Sequence, residues 1–429
     1  MASWRESTNA RMSFRSHLSC YWLLSALVVF AACSGGVPET APTTPATADT
    51  EPPAKSATTG TTVPVSTTTD ASPSTSEPAT ALQTEVFARI SQNPVSDEAA
   101  AEFQALLNDM AGGAGMAATV MTADGTWSGT TGTADGTRPL QVDDQFAIAS
   151  VTKSVVAAQV IQLVEAGELS LDDLATEHLP ADLGYDTNQA TIRQLLNHRS
   201  GLQDSDKIIL PTLGTDRQRV WTAAEVLELA GDPGWPAGSW FEYSNANYFL
   251  LGLIIEQVRG CPLAQVLRNG VLAIDGVERL IYQPDERPRE PMAMPAGEST
   301  DALELGGGYL SSIAGVTSGG PAAAMASDSP SLGRWWRALC AGEIVSPASL
   351  TEMTTSVGAD YGLGYGLGLF NVAGGYGPSV GHAGEDYGFA SWAGCLPESG
   401  AVVVVLTNLV VDDIRGMARP LVSSLAASS

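Results

Sequence analysis

The chain has 429 residues, carries 47 acidic against 21 basic side chains, and stands at a formal net charge of −26. A chain this acidic with no basic cluster does not wrap phosphate backbones, so nucleic acid is excluded as a partner class. Five Cys in this length exclude a disulfide-dense scaffold, and a 44% hydrophobic composition can bury a large core. Only three basic residues are Lys: Lys55, Lys153 and Lys207.

Arg5, Arg11 and Arg15 precede an apolar run, residues 21–32, that ends at Cys33-Ser34-Gly35-Gly36. A basic stretch, a short apolar run and small residues at its end describe a secretory signal over residues 1–33. The run falls short of the roughly 20 residues a spanning helix needs. Ala31-Ala32-Cys33 resembles a bacterial lipobox, with Phe30 where Leu is usual. Cys33 would then be lipidated, and membrane contact would be through that anchor alone, on the outer face of the cell membrane. Simple cleavage near Ala32 is the alternative. Residues 34–80 hold 14 Thr, 8 Pro and 6 Ser with no aromatic residue. That composition cannot offset its ordering entropy and predicts a disordered tether.

The folded part is expected over residues 81–429. Residues 85–110 read as helix interrupted near Pro94. Residues 116–121 and 126–131 read as strands around the turn dipeptide Asp124-Gly125. Residues 150–166 predict a helix apolar nearly all round, hence buried, and 246–259 another that Gly260 stops. Residues 388–394 and 401–407 read as paired strands, and 414–426 as a closing helix. The class predicted is α+β: an antiparallel sheet built from both ends of the domain, flanking helices, and a mainly helical insert over about 151–300. Cys261, Cys340 and Cys395 are an odd number whose spacing chooses no pairing. No CxxC and no pair of His at ligand spacing occurs, so no metal is expected.

Lys153 is the only charged residue between Gln145 and Val164. An ammonium in such apolar surroundings tends to lose its proton, which suits a general base. Ser150 lies three residues earlier, on the same helix face and at the helix start, where backbone N–H groups lack internal partners. A bland reading makes Ser150 a helix cap and lets Lys153 reach solvent. Before the 246–259 helix stands Tyr243-Ser244-Asn245, with Tyr243 a second proton carrier and Asn245 an amide that could meet substrate or Lys153. Their bland roles are core aromatic and helix cap. Gly381-His382-Ala383-Gly384 precedes the strand expected from Gly388. Its glycines would let a strand edge approach a ligand, and N–H groups beyond Gly384 could complete an oxyanion hole.

In order, SxxK, YxN and HxG resemble the serine β-lactamase and D,D-peptidase superfamily, in its class C-like branch. The likeness extends to Phe146-Ala-Ile-Ala-Ser-Val-Thr-Lys153, Gly167-Glu-Leu-Ser-Leu-Asp-Asp173, Leu195-Leu-Asn-His-Arg-Ser-Gly-Leu202, Tyr243-Ser-Asn-Ala-Asn-Tyr248, Gly306-Gly-Gly-Tyr-Leu310 and Tyr361-Gly-Leu-Gly-Tyr-Gly-Leu367. It implies an acyl-enzyme on Ser150, with Lys153 as base helped by Tyr243. Asn245 would orient Lys153 and the substrate amide, and His382 would fill the third-motif position. Ser150 and Glu385, the residue after Gly384, would supply oxyanion N–H groups, and His198 would be structural. It implies no metal or cofactor. The implied substrate is a small D-Ala-type peptide, a β-lactam or an ester, with peptidoglycan stem peptides as one source. Lys-Thr-Gly is replaced by His382-Ala383-Gly384, which lacks the ammonium and hydroxyl that hold a β-lactam carboxylate. This tilts the expectation towards a D,D-carboxypeptidase or esterase. The rival expectation is a penicillin-binding or peptidoglycan-sensing protein without turnover. Gly377-Pro378-Ser379-Val380-Gly381 matches GxSxG, but strand-like sequence follows where a nucleophile elbow requires a helix.

Overall fold

A computed structural model describes residues 82–296, 307–358, 363–372, 379–386, 388–411, 413 and 416–427. The signal with Cys33, the tether, Gly306, Tyr361-Gly362, Gly377-Pro378 and residues 414–415 lie outside the described residues.

Ala401–Thr407 reads AVVVVLT and is buried along its whole length. A β-branched run with no polar face belongs in a strand covered on both sides. It is strand β11 of an eight-stranded sheet ordered β2-β1-β11-β10-β9-β8-β7-β6. The other strands are β1 (Met116–Met121), β2 (Thr126–Thr131), β6 (Val357–Gly358), β7 (Leu363–Tyr365), β8 (Phe370–Val372), β9 (Ser379–Asp386) and β10 (Phe389–Leu396). All the neighbouring pairs are antiparallel. Pairing β1 with β11, Met116 opposite Thr407, joins the beginning of the domain to its end. This is the α+β architecture expected. Strands β1 and β2 fall on the predicted residues, while the C-terminal helix spans Arg419–Ala427 after a short 3-10 turn, Gly416–Ala418.

Strand alternation divides the core. Ala118, Val120, Val403 and Val405 pack under the Asp97–Met110 and Arg419–Ala427 helices with Phe103, Leu107 and Leu421. Ala117, Met121, Val402, Val404 and Leu406 join the larger cluster, with Leu332, Trp335 and Trp336 of the Ser329–Cys340 helix. The helix Thr152–Glu165 is buried from Thr152 to Ile161, as its all-round apolar sequence requires. Ala246–Arg259 packs beside it and ends at Gly260 in the left-handed conformation, φ +63°. A disulfide joins Cys340 to Cys395, with Cα atoms 6.7 Å apart, and ties the Ser329–Cys340 helix to β10.

Beside the main sheet, β3 (Phe146–Ala147), β5 (Met325–Ser327) and β4 (Ile281–Tyr282) form a three-stranded sheet. These strands are too short for sequence periodicity to find. They fix the next residues firmly: Ile148 N–H donates to Met325 O at 3.0 Å, and Met325 N–H donates to Thr152 Oγ1 at 3.1 Å.

Candidate active site

Ser150 lies in a 3-10 turn, Ala149–Val151, that runs directly into the Thr152–Glu165 helix. Ala149 before it holds φ +46°, a left-handed conformation that disfavours an alanine. The flanking hydrogen bonds hold this elbow, and Ser391 Oγ adds another by donating to Ile148 O at 2.8 Å. Ser150 is left half-exposed while Lys153 is 0% exposed, so the lysine does not reach solvent.

Lys153 Nζ lies 3.1 Å from Ser150 Oγ, 2.6 Å from Asn245 Oδ1 and 3.1 Å from Ala322 O. Two of those partners, a side-chain carbonyl and a backbone carbonyl, can only accept. A neutral amine has two N–H groups and one lone pair. With both hydrogens on Asn245 and Ala322, the lone pair faces Ser150, whose hydroxyl can donate to it. Burial lowers the lysine pKa to about 7, against the opposing pull of Asp204 and Asp206. The arrangement can leave a neutral amine beside the Ser150 hydroxyl, which is what a general base requires.

Tyr243 is half-buried, and its ring centroid lies 4.7 Å from Lys153 Nζ. Burial pushes its hydroxyl well above the usual tyrosine range, with the hydrogen bond to Ser150 acting the other way. It therefore rests protonated, which suits it to give a proton to a leaving group. Asn245 occupies the cap position of Ala246–Arg259, but its side chain makes no cap bond. Instead Oδ1 takes Lys153 and Nδ2 donates to Asp206 Oδ2 at 2.8 Å.

The His-Ala-Gly segment does not precede a strand, as the sequence suggested; it lies inside β9. Its glycines were expected to let a strand edge approach a ligand, and at Gly384 the close approach is to the Ser150 turn. A Cβ on Gly384 would fall 2.3 Å from Ile148 O and 2.9 Å from Ser150 N. Among the described residues β8 meets β9 at Ser379–Gly381, and the β9 strand also packs against the Ser150 turn. The two segments expected to supply oxyanion N–H groups, Ser150 and Gly384-Glu385, are thus brought together.

His382 corrects the expectation of a side chain offered to substrate. It is 1% exposed and sits in an aromatic wall, its ring 4.9 Å from Phe370 and 6.4 Å from Tyr243. Its Nδ1 lies 2.6 Å from Ala383 O, which can only accept, and its Nε2 lies 3.1 Å from the Tyr365 hydroxyl. Ala383 points to the other face of the sheet, against the second core cluster. His198 is structural, as expected. Nδ1 accepts from Ser244 N at 3.2 Å and Asn247 Nδ2 at 3.0 Å, and the ring stacks on Tyr243 at 4.2 Å. Burial, then Lys153, drives its pKa well below the usual range, so it stays neutral.

Sequence reasoning missed Asp204 and Asp206. Asp204 Oδ2 accepts from Asn245 N at 2.9 Å, and its Oδ1 from Asp206 N at 3.0 Å. The available signal was position: both lie within four residues of the Ser200-Gly201-Leu202 segment.

Comparison with known proteins agrees with this arrangement. Residues 100–427 match the family model described as Beta-lactamase. Penicillin-binding protein 4* of Bacillus subtilis (strain 168) is 30% identical over 151 residues, 34% of this chain and 32% of that protein. Esterase EstB of Burkholderia gladioli is 35% identical over 148 residues, 30% of this chain and 36% of that protein. The matches span about a third of the length of these curated relatives. The crystal structure of D-amino acid amidase from Ochrobactrum anthropi SV3 superposes with a TM-score of 0.65 at 26% identity, covering 76% of this chain and 98% of that one. The chain belongs to the beta-lactamase family, with a site built as that of a serine hydrolase.

Proposed function

We propose that this protein hydrolyses D-Ala-type peptide amides or esters through an acyl-enzyme on Ser150, closer to a D,D-carboxypeptidase or esterase than to a dedicated β-lactamase. The observation that carries the chemistry is Lys153, fully buried between Ser150 and two obligate acceptors. Ser150 Oγ attacks the substrate carbonyl as its proton passes to Lys153 Nζ. The oxyanion forms against the N–H groups of Ser150 and Glu385. Tyr243 gives its proton to the departing amine or alkoxide and recovers one from Lys153. Water then enters by the reverse route and releases the acid.

The substrate class rests on the third motif. Buried His382 and an Ala383 turned to the other face supply no ammonium or hydroxyl for a β-lactam carboxylate. The superposed D-amino acid amidase adds support for an amide of a D-amino acid. The test gives the full chain a D-Ala-D-Ala peptide, a D-amino acid amide, a nitrophenyl ester and a chromogenic cephalosporin. Turnover of the first three above the cephalosporin supports the reading; preference for the cephalosporin overturns it. A Ser150 adduct with fluorescent penicillin that persists for hours, without peptide turnover, would favour a sensor.

We also infer an extracytoplasmic location through lipidated Cys33, where peptidoglycan stem peptides are within reach. Cys33→Ser should move the protein from the membrane to the soluble fraction. An unchanged distribution would contradict the anchor.

A further inference from the structure

The carboxyl pair behind Asn245 has a geometry that a solvated loop would not produce. An asparagine amide can present either its oxygen or its nitrogen to a lysine, and the two orientations differ by one flip. Here the flip is decided on the far side. Asp206 Oδ2, a carboxylate oxygen, faces Asn245 Nδ2 at 2.8 Å, so the amide must place Oδ1 towards Lys153 Nζ, 2.6 Å away. The Asn245 backbone is pinned as well, through its N–H on Asp204 Oδ2 at 2.9 Å. Asp204 and Asp206 are locked to each other through Asp206 N–H on Asp204 Oδ1 at 3.0 Å. Asp206 opens the Asp206–Leu213 helix, and Asn245 precedes the Ala246–Arg259 helix. The contact thus couples two elements at the lysine.

We propose that Asp204 and Asp206 form an anionic anchor that fixes the Asn245 amide on Lys153 and offsets the positive charge Lys153 acquires when it takes the proton of Ser150. Both are positioning residues acting through Asn245. Asp206 has its own pKa raised to about 6 by burial and by Asp204, with Asn245 and Lys153 acting against that rise. The other titratable groups around the lysine are Tyr243, Tyr248 and His198. Tyr243 and Tyr248 rest protonated and His198 rests neutral, which among the described residues leaves the carboxyl pair as the counter-charge. Lys207, next in the chain, is exposed.

The test reads Ser150 activation with a fluorophosphonate probe, so it does not depend on the natural substrate. Labelling rates of the full chain are measured from pH 5 to 9 for wild type, Asp206→Asn and Asp206→Ala. Asp206→Asn keeps an acceptor for Asn245 but loses the charge. Its acid limb should move about one pH unit lower, with a plateau several-fold below wild type. Asp206→Ala loses the acceptor too, and its plateau should fall by about tenfold more. A merely structural aspartate would give both variants similar losses, matched by lower thermal stability, with an unmoved acid limb; that result overturns the proposal. If wild type labels at Ser150 but cleaves no D-Ala peptide or amide, the substrate reading fails and the anchor stands.

Discussion

On its sheet side the site is made of backbone. Gly384 brings β9 against the nucleophile turn, and Ala383 and His382 turn away or are walled in. On its helical side the site is made of charge and hydrogen bonds, from Lys153 through Asn245 to Asp204 and Asp206. The sheet wall works by what it omits, so an added atom should damage it most. The helical wall works by its partners, so a lost polar group should damage it most.

The largest effect is expected on the helical side. Lys153→Ala should lower kcat/KM on the order of 10⁴-fold, measured with an activated ester, since base and orientation go together. A loss under tenfold would move the base elsewhere. On the sheet side Gly384→Ala adds one methyl group into space held by Ile148 O and Ser150 N. It should lower kcat by about 10² to 10³, as for a displaced oxyanion donor, and cost about 1–3 kcal/mol in urea unfolding. Near-normal turnover would mean that β9 does not seat the oxyanion.

The pH dependence separates the two walls more finely. Lys153 is fully buried with a folded pKa of about 7, whereas an unfolded lysine titrates near 10.4. Between these values the unfolded chain binds the extra proton, so stability rises with pH by up to about 1.4 kcal/mol per unit. Below pH 7 both states hold the proton and the slope vanishes. Comparing wild type with Lys153→Met in urea at pH 7, 8 and 9 should show the rise in wild type alone. Equal slopes would mean that the lysine stays charged.

Away from both walls, the Cys340–Cys395 disulfide closes a separation of 55 residues. Its replacement by Ala at both positions should cost about 4 kcal/mol by chain entropy while leaving the acid limb of the labelling profile in place. A shifted limb would show that the helix-to-strand tie reaches the site.

The sequence carried most of the fold because its strongest patterns are unambiguous: β1, β2, β11 and the Ala246–Arg259 helix fall on the residues expected. The site's first layer was legible too, because a lone lysine in an apolar helix is costly to bury and the serine one turn before it gives that lysine a use. What stayed hidden depends on three-dimensional approach. The close approach expected at Gly384 finds its partner only in the fold, where Ile148 O and Ser150 N lie against it. His382 looks available until Tyr365 and Phe370 close over it. Asp204 and Asp206 look like solvated loop charges until Asn245 turns its amide to them.

The central claim is that buried, neutral Lys153 activates Ser150. It is tested most directly by intact-mass and peptide mapping of fluorophosphonate labelling against pH. The account predicts a single adduct on Ser150 whose rate rises through about pH 7 and is lost in Lys153→Ala. Labelling at another residue, or a Ser150 rate indifferent to pH and to Lys153, would contradict it.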